Sequence, residues 1–449
     1  MNPLAQYVLI VGGGISGLSA AYALTTRGIR VRVREAAPRA GGLIRTEHVN
    51  GFTIEAGPDS VLNAKPGALE LIRELGIESE LIPIRAGARA FVLKGDRLHA
   101  LPQPSFLGIP LTPEALAGYD LLSIEGRERM ALEPTIPPLA ADEDESVGSF
   151  FRRRFGPEAV DLIAQPLLGG IHAGDIDTLS MRALFPALLA AERERGSVMP
   201  EAGSRKPDAA GGFAALRGGM SRLVDAIEAR LPPGSIEYNS PLTSLDDPGA
   251  HAIIVATQAH VAAKLFAPID PEASRLCAMV PYVSTASVAL AWPRDAISHP
   301  LDGTGFVVAR RYSDARITAC TWVSSKWASR APEGHALLRA FIGGTHDPGA
   351  AELPDQELIA IARHDIGRVM GISTTPELAR VYRWPRAGAQ HLVGHLDRVA
   401  EIERRLAPRH ILVTGSGFRA TGIPDCVADG RRVAAECAAL GRGSRGHRG

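Results

Sequence analysis

The chain has 449 residues, 49 Lys+Arg against 49 Asp+Glu, 45% hydrophobic and 22% charged residues, enough for two or three globular domains around a large core. Zero formal charge argues against nucleic acid as a partner, since phosphate neutralisation calls for a basic excess. Four cysteines, Cys277, Cys320, Cys426 and Cys437, lack any C-x-x-C spacing, which disfavours a disulfide framework or a metal site.

The N-terminal residues lack the basic and long apolar regions of a signal peptide, and no apolar run reaches the roughly 18 residues needed to span a bilayer. A cytoplasmic location is expected, with peripheral membrane contact left open. Lysine stands only at positions 65, 94, 206, 264 and 326. The Arg excess is read as the codon bias of a GC-rich genome, not as anion recognition.

Tyr7–Val11 is an apolar run suited to a buried parallel strand, Ile15–Leu24 carries an Ala/Leu-rich helical pattern, and Ile29–Val33 alternates with Arg before ending at Glu35. Together they predict β-α-β, the start of a doubly wound fold. From about 97 to 210 the texture is rich in Pro, Leu, Ala and charge, with helical periods at Glu158–Leu168 and Met181–Ala191. Within it, Phe150–Phe155 is read as a solvated helix face with a buried aromatic side, and Arg193–Gly212 as a breaker-rich mobile loop or lid. Ala252–Ala256 repeats the buried-strand signal. Val283–Ala291, Gly305–Val308 and Ile317–Val323 alternate as antiparallel strands do. Ile411–Thr414 is a third parallel-strand candidate, followed by a helix over Val427–Leu440 and a Gly/Arg/Ser-rich tail, Gly441–Gly449.

Between the first strand and helix, Gly12-Gly13-Gly14-Ile15-Ser16-Gly17 satisfies G-x-G-x-x-G. Its first glycine permits the tight turn, the second lets a pyrophosphate approach the backbone, and the third lets helix and strand pack closely. Glu35, about 20 residues on, is placed to accept from a ribose diol and disfavours a 2′-phosphate. No Ser/His/Asp or metal-ligand constellation is defensible by spacing alone.

Arg39-Ala40-Gly41-Gly42-Leu43-Ile44-Arg45-Thr46 and Glu55-Ala56-Gly57-Pro58-Asp59-Ser60 follow Glu35. Here the chain resembles the flavoprotein amine-oxidase and phytoene-desaturase superfamily. The finer resemblance is to the protoporphyrinogen and coproporphyrinogen III oxidases. It is carried by Leu168-Gly169-Gly170-Ile171-His172-Ala173-Gly174-Asp175, Leu216-Arg217-Gly218-Gly219-Met220, Trp384-Pro385 with Val393-Gly394-His395, and Gly422-Ile423-Pro424-Asp425-Cys426. The resemblance spans roughly Tyr7 to Glu436. It implies an α/β fold in which a discontinuous Rossmann-like FAD-binding domain (1–96, 211–270, 385–449) is joined by a mostly helical, potentially membrane-associated insertion (97–210) and an antiparallel-sheet substrate domain (271–384).

For the cofactor, the resemblance implies contacts from Gly12, Gly14, Ile15, Ser16, Gly17, Glu35, Arg39, Gly41, Gly42, Gly57, Pro58, Asp59, Ser60, Leu242, Ala256, Thr257, Gly415, Ser416, Gly422, Ile423 and Pro424. Ser416 stands where that family usually has Asn or Asp. The FAD is expected to be non-covalent, because no Cys lies between Cys320 and Cys426, the stretch where thioether-linked amine oxidases carry theirs.

The implied reaction removes six electrons from a porphyrinogen in three two-electron steps, with O2 reduced to H2O2 each time. Protoporphyrinogen IX is the expected substrate, with coproporphyrinogen III as the alternative, and the product passing to the next haem-pathway enzyme. Since the flavin accepts the hydride, no catalytic acid or base is assigned. An apolar slot with carboxylate-binding groups is required, for which Ile171, His172, Phe306, Arg316, Arg339 and Phe341 are candidates. Another amine oxidase or desaturase on the same scaffold is the principal rival; only Lys326 suits the lysine such oxidases use. A flavin-binding protein without turnover is the other.

Overall fold

In the computed structural model, the described residues are 7–85, 89–139, 143–199 and 212–443. Most of the breaker-rich stretch expected as a lid (200–211) and the end of the tail (444–449) lie outside them.

A five-stranded parallel sheet forms the first layer, in the order Ile236–Glu237, Val31–Arg34, Tyr7–Val11, Ala250–Val255, Ile411–Val413. Its strands come from three distant parts of the chain and pair in register, Val8 with Val31, Val11 with Val255 and Val255 with Val413. Near-continuous apolar runs are what a parallel sheet covered on both faces requires. Helix Ile15–Thr25 buries Leu18, Ala20, Ala21 and Leu24 against one face, packed beside Val427, Val433, Ala434 and Cys437 of the C-terminal helix Ile423–Gly443. The opposite face is covered by Ala259–Phe266, Pro271–Ala278 and His395–Leu406, through Phe266, Leu276, Val399 and Ile402.

A seven-stranded sheet forms the second body. Its order is Leu378–Ala389, Tyr282–Pro293, His335–Gly343, Ala319–Trp322, Gly303–Val308, Arg89–Lys94, Arg97–Ala100, antiparallel except for the parallel pair Gly303–Val308 with Arg89–Lys94. The hairpin 89–100 thus belongs to this sheet, and the boundary expected between residues 96 and 97 falls in its turn. Along His335–Gly343 side chains alternate between faces: Leu338, Ala340 and Ile342 pack under helix Asp355–Met370 with Leu358, Ala362 and Ile366, while Leu337, Arg339 and Phe341 face the other way.

The insertion is helical around a core of Phe150, Phe151, Phe155, Leu162 and Ile163. The expected helical period at Glu158–Leu168 is realised as a wide π-helix, Val160–Gly169. Pro166 offers no N–H and in an α-helix would collide with the carbonyl four residues back; the wider i→i+5 winding relieves that contact. Among the described residues no helix is long and apolar enough to cross a membrane.

Candidate functional site

The parallel strands end together: Gly12 N–H donates to the Arg34 carbonyl (2.8 Å), Ala256 N–H to Val11 (2.8 Å) and Thr414 N–H to Val255 (3.0 Å). The crevice beyond the carboxyl ends of such strands is where open α/β sheets bind ligands. Gly12 has φ +106°, and a Cβ on it would stand 2.9 Å from the Ala256 carbonyl oxygen. A Cβ on Gly17 would collide with the Gly12 carbonyl, whereas one on Gly14 meets nothing within 4 Å. The second glycine therefore opens onto free space at the N-terminus of helix Ile15–Thr25.

The loop after the second strand closes onto this turn. Gly41 N–H donates to the Gly13 carbonyl (2.8 Å), and Gly14 and Gly41 form a parallel bridge. The exposed Arg39 ties the loop together, donating to the carbonyls of Ala40 (2.9 Å), Ile44 (2.9 Å) and Gly42 (2.7 Å). Glu35 accepts from Gly13 N–H (2.6 Å) and Ala37 N–H (2.7 Å). A carboxylate seated on the turn repels a second negative charge there, as expected for a cofactor without a 2′-phosphate. Thr257 lies beside Gly12, Ser16 beside Gly415 (3.5 Å from its would-be Cβ), and Leu242 packs against the Leu9, Val11 and Val255 cluster. Gly12–Gly17, Glu35, Gly41, Gly42, Ala256, Thr257 and Gly415 are thus brought to one crevice, with Ser416 and, after the loop, Gly422, Ile423 and Pro424 leading into the C-terminal helix.

Glu55–Ser60 links this crevice to the seven-stranded sheet. Arg339, only 4% exposed, donates to the carbonyls of Glu55 (2.5 Å) and Gly57 (2.9 Å), and Trp384 Nε1 to that of Ala56 (2.8 Å). Asp59 lies 3.0 Å from Lys326 Nζ and 3.8 Å from Arg339, accepts from Trp327 Nε1 (3.3 Å) and from the Ser60 hydroxyl (2.7 Å). Burial works against the Asp59 charge, but Lys326 and Arg339 outweigh it and hold the carboxyl well below the usual carboxylate range. Asp59→Asn is expected to cost about 2 kcal/mol of stability. The deficit in unfolding free energy should be constant above about pH 4 and shrink below it, because the ionised Asp59 stabilises fully above its unfolded pKa and loses that advantage as pH falls through its lower folded pKa. Urea titrations at several pH values check this.

The expected substrate residues separate. Arg339 and Phe341 share the sheet face toward Gly57, with the guanidinium 4.7 Å from the Phe341 ring centroid, so Arg339 is committed to backbone carbonyls and the ring. Phe306 pairs with Cys320 in register and is buried in the core under helix Asp355–Met370, on the opposite face from Phe341. Arg316 is exposed and bridges Asp347 (2.9 Å). Ile171 is 66% exposed; the half-buried His172 ring meets Phe185 edge-on, and its carbonyl accepts from Gln390 Nε2 (3.0 Å). Burial, then the charges of His391 and Lys65, push the His172 imidazole down to about 4.

Sequence reasoning missed Lys65, whose ammonium bridges Asp425 (2.7 Å) at the start of the C-terminal helix, and assigned nothing to Gln390 or His391. A signal existed for the lysines: in a chain that uses Arg almost everywhere, two of five Lys stand opposite aspartates of the flavin-motif segments. Among the described residues no cluster of three or more His, Cys, Asp or Glu side chains could hold a metal ion.

The sequence profile of the family described as "Flavin containing amine oxidoreductase" matches residues 15–438. The chain is 34% identical to coproporphyrinogen III oxidase of Bacillus subtilis (strain 168), covering 97% of this chain and 98% of that protein. It is 30% identical to protoporphyrinogen oxidase 1, chloroplastic, of Arabidopsis thaliana, over 87% of this chain and 79% of that one. A protein of Exiguobacterium sp. 255-15 with a known crystal structure superposes with a TM-score of 0.86 at 29% identity, over 96% and 98% of the two chains. With the glycine turn, the joined 39–45 loop and the two-sheet architecture in place, the chain belongs to the flavin-containing amine oxidoreductases and, within them, to the porphyrinogen-oxidase family.

Proposed function

We propose that this protein is an FAD-dependent porphyrinogen oxidase of haem biosynthesis that converts coproporphyrinogen III to coproporphyrin III, consuming three O2 and releasing three H2O2. The near-full-length relationship to the Bacillus subtilis coproporphyrinogen III oxidase carries the reading. It moves the expected substrate from protoporphyrinogen IX to coproporphyrinogen III. The cradle fits FAD: Gly14 opens onto free space at a helix N-terminus, and Glu35 disfavours a further phosphate on the ribose. All four cysteines are buried and burial raises each thiol, which supports non-covalent retention, since the thiolate is the reactive form.

When bound, the flavin supplies two-electron oxidation and reoxidation by O2. The chain supplies placement. Gly12, Gly14 and the 41–42 loop receive the pyrophosphate, and Arg339, Trp384 and Asp59 fix the Glu55–Ser60 loop. The end of the strand carrying Phe341 reaches the His172 loop, where Thr345 N–H donates to the Ala173 carbonyl (2.9 Å), and an apolar macrocycle placed against Phe341 would shed water.

Protoporphyrinogen IX is the second reading, favoured by the chloroplastic Arabidopsis relative. Purified yellow protein, given each porphyrinogen in air and followed by porphyrin fluorescence, is expected to show the higher kcat/KM with coproporphyrinogen III. A preference for protoporphyrinogen IX would select the second reading, and flavin-loaded protein that oxidises neither would sink both.

A further inference from the structure

The segment Gln390–His395 leaves the last strand of the seven-stranded sheet and enters helix His395–Leu406. It carries two imidazoles four residues apart, both almost fully buried. His391 Nε2 lies 2.8 Å from the Ser416 carbonyl oxygen and His395 Nε2 lies 2.6 Å from that of Phe418. A carbonyl only accepts, so both rings must be Nε2–H tautomers. The rings stack with centroids 3.9 Å apart and planes within 10°. Nδ1 of His395 is buried without a partner. A second proton there would be an unsolvated charge pressed against another imidazole.

The loop that receives these bonds turns sharply out of the last parallel strand, with Gly415 at φ +107°. Asp429 of the C-terminal helix holds its beginning, accepting from the Thr414 hydroxyl (2.6 Å) and Gly415 N–H (3.2 Å). The carbonyls of Ser416 and Phe418 are left for the histidines. The donors are themselves on a fixed support: Ser180 N–H donates to the His391 carbonyl (2.8 Å), Gly394 N–H to Asp144 (3.0 Å) and Gln390 Nε2 to the His172 carbonyl.

We propose that His391 and His395 are positioning residues for the cofactor: two neutral N–H donors that fix the path of the loop Gly415–Ala420 and thereby set how tightly FAD is retained. This rests on the reading that the loop borders FAD. Burial above all keeps the pair neutral, opposed in each ring by the carbonyl it donates to. At His395 the His391 ring, Arg398 on the same helix and Arg419 on the loop further disfavour a proton. The nearby carboxylates, Asp144 and Asp429, are engaged with Ser180 and Gly394 and with Thr414 and Gly415. Burial and these neighbours push His395 down to about 3. A free imidazole takes its proton near pH 6.5, so the clamp is complete above that value and weakens as pH falls toward about 3.

The test uses the full-length holoprotein and two double variants. His391→Leu with His395→Leu removes both donors; His391→Gln with His395→Gln keeps an N–H near the Nε2 position and cannot titrate. Free FAD is read by its fluorescence, and the unfolding midpoint of the apoprotein is measured alongside. At neutral pH the Leu variant is expected to bind FAD about tenfold or more weakly, as two lost hydrogen bonds imply, with the apoprotein midpoint also lowered because the Ser416 and Phe418 carbonyls lose their donors but the protein still folded at the temperature of the titration. The Gln variant should bind like the wild type, and its acid release should lie lower by about half a pH unit or more. A Leu variant with wild-type affinity, or a Gln variant as weak as the Leu variant, overturns the proposal. If the Leu variant does not fold, the acid release of the Gln variant decides alone, and an unshifted midpoint overturns the proposal. Wild-type protein unable to bind FAD defeats the cofactor reading itself; wild-type protein that binds FAD beside unaffected variants defeats only this inference.

Discussion

Gly14→Val is expected to give folded, colourless protein. The Gly14 backbone, at φ −69° and ψ 173°, suits any L-residue, and a Cβ there meets no protein atom within 4 Å. The apoprotein should therefore stay within about 0.5 kcal/mol of the wild type. The branched side chain instead fills the space over the helix N-terminus, where a pyrophosphate needs contact with bare backbone. Flavin per chain, read from visible absorbance after gel filtration, should fall below about one-tenth of the wild-type value on that steric ground. Gly17→Val provides the contrast: its Cβ would collide with the Gly12 carbonyl, so it should lower the yield of folded protein rather than empty a folded one. A Gly14→Val protein that keeps full flavin would refute the N-terminal cradle.

Glu133→Ala is expected to cost about 3–5 kcal/mol, the loss typical of stranding a buried charge. Glu133 and Arg154 are both 0% exposed by side chain and form an ion pair within the insertion. Arg154 also donates to the carbonyls of Ile136 (2.7 Å) and Gly196 (2.8 Å), and reaches Glu192 at 3.2 Å. Glu133 accepts in addition from the Ser197 hydroxyl and from Val198 N–H (3.0 Å). Removing it leaves the buried guanidinium with one carboxylate, Glu192, which Arg153 already shares at 2.6 Å, and frees the stretch of chain after helix Pro186–Arg195. Arg404→Ala makes the comparison: its bridge to Glu401 is 68% and 37% exposed, and such pairs contribute less than about 1 kcal/mol. Urea unfolding of the two variants should separate them clearly; equal midpoints would show that the buried network contributes no more than a surface pair.

What could be read from the sequence was what is local. A strand, a glycine turn and a helix are neighbours in the chain, so Tyr7–Val11, Gly12–Gly17 and Ile15–Thr25 declare one another. The parallel strands at 250–255 and 411–413 were legible because a strand buried on both faces is continuously apolar. Their partner Ile236–Glu237, only two residues long, offers no pattern. Arg339 could be suspected as a functional arginine, yet its acceptors at Glu55 and Gly57 lie more than 280 positions away, beyond any spacing argument. Phe306 and Phe341 show the same limit in another form: alternation says that each strand has two faces, but only the pairing of Phe306 with Cys320 and of Phe341 with Ala319 reveals that the two rings take opposite faces. The histidine pair was only half visible: His395 stands in the Val393-Gly394-His395 motif, but no spacing points to His391 or to the role of either, since their partners are carbonyls, which every residue possesses.

The parallel sheet also sets a timetable. Its central strand, Tyr7–Val11, pairs on one side with Ala250–Val255, which in turn pairs with Ile411–Val413. A ribosome adding about 5–20 residues per second takes roughly 20–80 s between the first and last of these. Throughout that interval an apolar strand lacks a neighbour in the sheet, and the crevice beneath Gly12 has no far wall. Closure of such distant segments is slow and exposes unpaired edges. The flavin thus meets a complete site only after synthesis is nearly finished, when the two ends of the chain have already joined through their own sheet pairing and helix packing.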